Sequence, residues 1–274
     1  MDIYSEITDR LVKEMEGGEI PWLKPWLATG AAISHATGKP YSLLNQFLLG
    51  RPGEYLTYKQ AIEEGGNVRK GEKSRMVVFW KWIKEKDEET GEEREIPFLR
   101  YYNVFHVDQC EGIKPKYERK PETPATPCEA AEAIANEYIT REGITLKTNG
   151  CNAYYAPAAD TIVVPNMEVF EETAEYYSTL FHEMVHSTGH SKRLARIADV
   201  AAFGSETYSK EELVAEIGSA TLVHHVGLET PASFRNNAAY IQNWLKALKN
   251  DKRLIVSAAG KAEKAVNMIL NVAP

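Results

Sequence analysis

The spacing of apolar and polar positions changes character several times along the chain. From Ile3 to Met15, apolar residues recur at three- and four-residue steps among charged ones, and the stretch stops at Gly17-Gly18; this predicts an amphipathic helix. Ile20-Pro21-Trp22-Leu23-Lys24-Pro25-Trp26 is too rich in proline for helix. Tyr41 to Leu49 reads as a helix that ends before Gly50-Arg51-Pro52-Gly53. Thr57 is placed to cap a short helix reaching Glu64 and closed by Gly65-Gly66. Met76 to Ile83 and Phe98 to Val107, rich in aromatic and β-branched residues, predict two strands of a hairpin. The acidic stretch Glu85 to Glu95, around Thr90-Gly91, forms its solvated tip.

Lys114 to Pro127 carries four prolines among charged residues and reads as an extended linker. It divides the chain into a domain at 1–113, a linker at 114–127 and a domain at 128–274. Beyond it the pattern turns mostly helical. Helices are expected at Cys128–Thr140, then about Val169–His190, Lys210–Val226, Ala232–Leu248 and Lys252–Leu270, with short strands at Asn152–Tyr155 and Thr161–Val164. The fold class is α+β: a small α+β domain followed by a mostly helical one.

Composition narrows the possibilities. With 274 residues, 43% of them hydrophobic, two domains with real cores fit. A net charge of −7 excludes a polycation, so any nucleic-acid contact must come from a local patch. The same charge is too small for a molecule that mimics DNA by negative charge alone. The 85–95 tip, with seven acids against two bases, masks a modest basic surplus in the rest of the N-terminal part. Cys110, Cys128 and Cys151 are odd in number and far apart, which argues against a disulfide framework and a thiolate metal cluster. The N-terminal helix lacks the apolar core of a signal peptide, and no apolar run approaches about 18 residues. The expectation is a cytoplasmic protein with no membrane partner.

The chemistry concentrates at His182-Glu183-Met184-Val185-His186. Two histidines four apart on a helix share one face and can bind one ion, and Glu183 between them is placed as general base toward water. The helical lead-in from Glu171 to Leu180 and the stop at Gly189 make this more than a chance match of three positions. A catalytic ion, taken as one Zn2+ with another divalent transition metal possible, needs a third protein ligand. A histidine ten residues after the first would mark a metzincin, but that position is Lys192, so His190 is better read as helix-end or substrate-side. Ser209 to Glu216 offers three carboxylates at the start of the next helix. Glu212 is expected as ligand and Glu216 as the group that orients a ligating histidine, with Glu211, Glu216 and His190 open alternatives for the third ligand. By analogy with peptidases that carry this signature, Thr161–Val164 would serve as an edge strand that pairs with an extended peptide substrate, with simple core packing the equal alternative. Tyr154, Tyr155, Tyr208 and His190 are candidate oxyanion partners.

These stretches, HEMVHSTGHSKRL, FGSETYSKEELVAEIGSATL and AAYIQNWLKALKNDKRLIVSAAGKAEKAVNMIL, resemble the metallopeptidase domain of ArdC-type antirestriction proteins. IPWLKPW, GKPYSLLNQFLL, LTYKQAIEEGGNVRKGEKSRMVVFWK and YYNVFHVDQCEG resemble the same family's N-terminal domain, so the likeness spans nearly the whole chain in order. His106 and the acidic tip depart from the family pattern. The resemblance implies an N-terminal domain that binds single-stranded DNA, joined to a zincin-like peptidase, in a protein of conjugative plasmids or other mobile elements that shields incoming DNA from restriction.

Binding of single strands without sequence preference needs aromatic faces and cations. The candidates are Trp22 and Trp26 around Lys24, Tyr58 and Gln60 at the short helix, the basic turn with Arg69, Lys70 and Lys73, and Trp80 on the first strand of the hairpin, with Trp82 projecting to the same face. Two functions follow. One is a DNA-tethered zinc peptidase acting on an unidentified protein. The other is a coat for single-stranded DNA whose metal is only structural.

Overall fold

The structure, a computed structural model, describes residues 2–17, 20–23, 31–86, 93–117, 127–150, 152–170, 172–197, 206–228 and 238–272. Trp26, Cys151 and most of the expected linker lie outside the described residues, as do the side chains of Trp80, Trp82 and Tyr208. Two compact units form: Met1–Thr29 together with Pro121–Pro274, and Gly30–Lys120.

The first helix, α1 (Ile3–Glu16), is capped by Asp2, whose side chain accepts the Tyr4 N–H. Its apolar stripe, Ile7, Leu11, Val12 and Met15, is buried. Each such side chain contributes about 1.5–3 kcal/mol on full burial. The stripe faces the C-terminal part of the chain, and Thr8 Oγ1 donates to the Lys252 carbonyl at 2.7 Å. The first 29 residues thus form one compact unit with Pro121–Pro274. An apolar stripe states that a helix must be covered, but not by what. The following turn, Pro21–Leu23, is equally part of that core, with Trp22 only 2% exposed.

The Gly30–Lys120 unit holds β1 (Ala32–Ser34), α2 (Leu43–Leu49), β2 (Gly53–Thr57), α3 (Tyr58–Glu63), β3 (Asn67–Val68), β4 (Arg75–Lys86), β5 (Glu93–His106) and β6 (Cys110–Glu111). Its main sheet has the order β1-β2-β5-β4, with β1 and β2 parallel and the other pairs antiparallel. The expected hairpin is β4–β5, and its strands run further toward the tip than their aromatic cores. Thr57 caps α3 in a full capping box with Gln60. Leu49, Ala32, Tyr55, Val77 and Val104 form one cluster on the face covered by α2, with Tyr41 packed against it. Leu56, Ala61, Val107 and Cys110 form a second cluster on the other face, beside α3.

α2 also closes both sheet edges. The buried Asn45 amide donates to the Val78 carbonyl at 2.7 Å and accepts the Val78 N–H at 2.8 Å on β4. The neighbouring Gln46 does the same for Ala32 on β1, at 3.0 and 2.8 Å. Two side-chain amides thus satisfy edge groups that would otherwise invite another strand.

After α4 (Pro127–Glu142), the second unit forms a small sheet of β7 (Thr145–Thr148), β8 (Tyr154–Ala156) and β9 (Thr161–Val164) in the order β7-β9-β8. β9 is central, parallel to β7 and antiparallel to β8, and all four of its residues are buried. It is therefore not the edge strand expected from sequence; its run Thr-Ile-Val-Val is apolar because both of its sides are covered. α5 (Thr173–Thr188), α6 (Glu206–His225), α7 (Ala238–Asn250) and α8 (Leu254–Ile269) complete the unit. α5, α6 and α8 pack together through Leu180, Phe181, Met184, Val185, Leu213, Ile217, Ile255 and Ala259, all essentially buried. Gly218 lets α6 approach α5: a Cβ there would sit 2.8 Å from a Val185 methyl. Cys110 and Cys128 are free thiols. Among the described residues no helix is long and apolar enough to cross a membrane.

Candidate metal centre

α5 carries His182, Glu183 and His186 across two turns, and α6 delivers Glu211, Glu212 and Glu216 from its first half. The close helix crossing at Gly218 brings these faces together. His182 Nε2 lies 3.1 Å from His186 Nε2. Glu212 reaches both, at 3.5 Å from His182 Nε2 and 3.3 Å from His186 Nε2. Atoms bound at 2.0–2.1 Å to one tetrahedral ion lie roughly 3.4 Å apart. The three side chains match that spacing, and they form the one His/Cys/Asp/Glu group of three among the described residues able to hold an ion. Two imidazoles and a carboxylate, with no thiolate, suit a divalent transition metal.

The outward nitrogens of the same rings also meet acids. His182 Nδ1 faces Glu216 at 3.9 Å, and His186 Nδ1 faces Glu211 at 3.6 Å. Glu216 was expected behind a histidine. Glu211 was only an open alternative for the third ligand, and it lies behind His186 instead. Three carboxylates within six residues are equivalent on paper; only the rotation of α6 against α5 tells them apart. Arg196, after α5, holds Glu211 with Nη2 at 2.8 Å and Nε at 3.2 Å, and also donates to the Val185 carbonyl and Thr188 Oγ1. No sequence pattern announced Arg196.

Electrostatics follow from this packing. Burial alone would raise Glu212, but the bonds from His182 and His186 outweigh it and hold the carboxyl far below the ordinary range. Burial disfavours a charged His186, yet Glu211 and Glu212 lift its pKa to about 9. The field that keeps a proton there would equally favour a divalent cation. Glu183 is buried, and burial pushes its carboxyl up against the opposing pull of His182 and His186. It also accepts the Tyr155 backbone N–H, which ties the base to edge strand β8.

β8 is itself locked in place. Arg193, almost fully buried, donates to the Ser187 carbonyl at 2.7 Å, to Tyr155 Oη at 3.1 Å and to both Asp160 oxygens. Tyr155 Oη donates to Asp160 at 2.7 Å. Of the oxyanion candidates, Tyr155 thus has its hydroxyl engaged, while Tyr154 is 51% exposed. His190 Nδ1 accepts the Lys192 N–H at 3.2 Å in the turn after α5 and stands outside the ligand group.

The described sequence-predicted DNA candidates fall in both units and differ in exposure. Trp22 is packed away in the core of the other unit and offers no face to a base. Tyr58 is 54% exposed on α3, with Gln60 partly covered by its capping bonds. Arg69, Lys70 and Lys73 lie exposed in the turn between β3 and β4, and Arg69 pairs with Glu72 at 3.0 Å.

Comparison with known proteins places these features in context. Residues 133–261 match the profile of a zincin-like metallopeptidase, and residues 1–105 that of the N-terminal domain of anti-restriction factor ArdC. Two proteins named DNA primase TraC from Escherichia coli are 34% and 33% identical over 97% of the chain, which spans only 27% and 20% of their lengths. The uncharacterized protein y4eC of Sinorhizobium fredii is 33% identical over 96% of the chain and 90% of its own length. The metal-free crystal structure of antirestriction ArdC protein from plasmid R388 superposes with a TM-score of 0.77 at 38% identity, covering all of both chains. Its Mn(II)-bound structure gives 0.78 at 37% identity, over 99% and 98%.

Proposed function

The chain belongs to the ArdC-type antirestriction proteins, with an ArdC N-terminal domain and a zincin-like domain, and on that premise we propose that it is a DNA-tethered, metal-dependent peptidase of a mobile element. Its N-terminal domain holds single-stranded DNA, and its second domain cleaves a protein that threatens that DNA. Zinc is the first expectation for the ion. The Mn(II)-bound relative keeps other divalent metals in play.

One observation carries this reading: His182 Nε2, His186 Nε2 and Glu212 converge within 3.1–3.5 Å, with the buried Glu183 beside them. A bound ion would act as Lewis acid and make water a stronger nucleophile at neutral pH. His182, His186 and Glu212 would hold it. Glu211 and Glu216 orient the two rings. Glu183, excluded from bulk water and fixed by the Tyr155 N–H, takes the proton from the attacking water and can return it to the leaving amine. The Arg193–Asp160–Tyr155 network keeps β8 and that N–H aligned with Glu183.

The test compares wild type with Glu183→Gln, each with metal content measured, in protection of incoming DNA from restriction and in cleavage of a general protein substrate such as casein. Glu183→Gln is expected to keep its metal and lose about 10²–10⁴-fold in cleavage. Protection should fall with it. Full protection by metal-loaded Glu183→Gln would show instead that the metal is structural and that coating of DNA suffices.

A further inference from the structure

We infer that Phe79 and Tyr102, with Arg100 beside them, form the surface on which the N-terminal unit stacks the bases of single-stranded DNA; this rests on the single-strand reading above and assigns it to residues outside the set expected from sequence. In the β4–β5 register, Val77 lies opposite Tyr102, Phe79 opposite Arg100 and Arg75 opposite Val104. Side chains directly opposite each other in an antiparallel pair share a face, and alternate residues along a strand return to it. Arg75, Val77, Phe79, Arg100, Tyr102 and Val104 therefore lie on one face.

Toward β2 that face is core: Val77 and Val104 are buried with Leu49 of α2. Further along the hairpin it emerges as two rings, Phe79 at 48% and Tyr102 at 43% exposure. They meet edge to face at 5.7 Å. Half-buried Tyr41 backs Phe79 at 6.2 Å and is itself 6.4 Å from Tyr55 in the core. The exposed rings are thus the end of an aromatic series rooted in packed structure, which orients them before any ligand arrives. Pre-oriented rings lose little freedom on binding. Rings flanked by exposed Arg100 and partly exposed Arg75 offer stacking surface and phosphate attraction together, the pairing that sequence-tolerant binding of single strands requires. A duplex keeps its base faces stacked on one another and cannot use them.

The register supplies its own control. Tyr101 is more exposed, at 57%, but lies opposite Val78 and so projects from the other face. The full chain is titrated into a fluorescein-labelled oligothymidylate, read by fluorescence anisotropy. Phe79→Ala and Tyr102→Ala are each expected to weaken binding by about tenfold or more, the loss of one stacked base. Phe79→Trp should bind like wild type, and Tyr101→Ala should stay within about twofold. Arg100→Ala should lower the slope of log affinity against log salt by about one phosphate contact.

Photocrosslinking of wild type to an oligonucleotide carrying 5-iododeoxyuridine should place the adduct on Phe79 or Tyr102, which keeps the test open should an alanine variant fold poorly. If Phe79→Ala and Tyr102→Ala bind as wild type, if Tyr101→Ala loses as much as they do, or if every adduct falls elsewhere, the assignment is overturned while single-strand binding stands. If wild type itself ignores the oligonucleotide, the single-strand reading falls and this assignment with it.

Discussion

Each unit holds a histidine–carboxylate cluster, and the two could hardly behave more differently. In the N-terminal unit His35 is fully buried, with Nδ1 2.5 Å from Glu54 and Nε2 2.9 Å from Glu64. Those acids are in turn engaged: Glu54 accepts the N–H groups of Lys116 and Tyr117 at 3.0 and 2.8 Å, and Glu64 meets Lys116 Nζ at 2.6 Å. In the metal centre, two Nε2 atoms and Glu212 point at one another, while the Nδ1 atoms face Glu216 and Glu211 behind them. Residue types are the same, and His35 is the more deeply buried ring. What differs is direction. At His35 the two nitrogens point apart, each onto its own carboxylate, so they do not meet a third ligand at one point. At 182–186 two ring nitrogens and a carboxylate converge on one point.

The sharpest way to break this comparison is to delete one histidine from each cluster and measure both metal content and local stability. His186→Ala removes a ligand and is expected to abolish tight metal binding, measured as metal per chain after dialysis, with little effect on the N-terminal unit. His35→Ala leaves Glu54 buried without its ring partner. Leaving a buried acceptor short of one partner costs about 1–3 kcal/mol, and Glu54 keeps two backbone N–H bonds. Amide exchange across β2 should accelerate accordingly while metal content stays unchanged. Metal loss in His35→Ala would show that the two clusters are not independent.

The contrast also explains how far the amino-acid sequence could be read. His182 and His186 are legible because helical spacing is local: four residues fix one face. β9 was placed at Thr161–Val164 to the residue, because four apolar residues between turn signals have few other uses. Its central position was not legible, since β7, its parallel partner, is the polar run Thr-Leu-Lys-Thr, which carries no strand pattern. β2 was missed for a similar reason: it starts on Gly53 and buries the charged Glu54, whose burial makes sense only beside His35. Trp22 was taken as a stacking ring because composition cannot tell a core tryptophan from an exposed one, and the fold buries it to 2% exposure. All of these misses are contacts between residues distant in sequence.

A subtler test concerns the acid behind His186. If Glu211 orients the ring, Glu211→Gln should weaken metal affinity by about 10–100-fold without removing a ligand. Arg196→Met, which frees Glu211 from its guanidinium, should move affinity in the same direction by less. Titration with Zn2+ against a competing chelator reads both. Unchanged affinity in Glu211→Gln would reduce that acid to a bystander and leave Glu216 alone in its role.

The smallest effect expected is one of pH, and it separates the clusters by what rescues them. Burial works against the charged form of Glu54, but the N–H groups of Lys116 and Tyr117, with the His35 ring, outweigh it and hold the carboxyl below its ordinary 4.5. A carboxyl depressed on folding adds stability that is fully present above its unfolded value and is lost as pH falls through the folded one. Glu64 is shifted the same way, by its bonds to Lys116 and then His35. Protection factors of the Lys116 and Tyr117 amides should therefore be level at neutral pH and fall below about pH 4.5, by at most about 1.4 kcal/mol per pH unit for each proton taken up. In Glu54→Gln that acid-dependent part should shrink. Added Zn2+ should leave it unchanged in the N-terminal unit, because the ring nitrogens of His35 point apart and, among the described residues, no group of three ligands converges there. Acid release of metal from the 182–186 centre, by contrast, is a competition between protons and cation, so a higher Zn2+ concentration should shift it to lower pH. An N-terminal acid transition that moved with Zn2+ would mean that the direction of the ring nitrogens is not what distinguishes the two clusters.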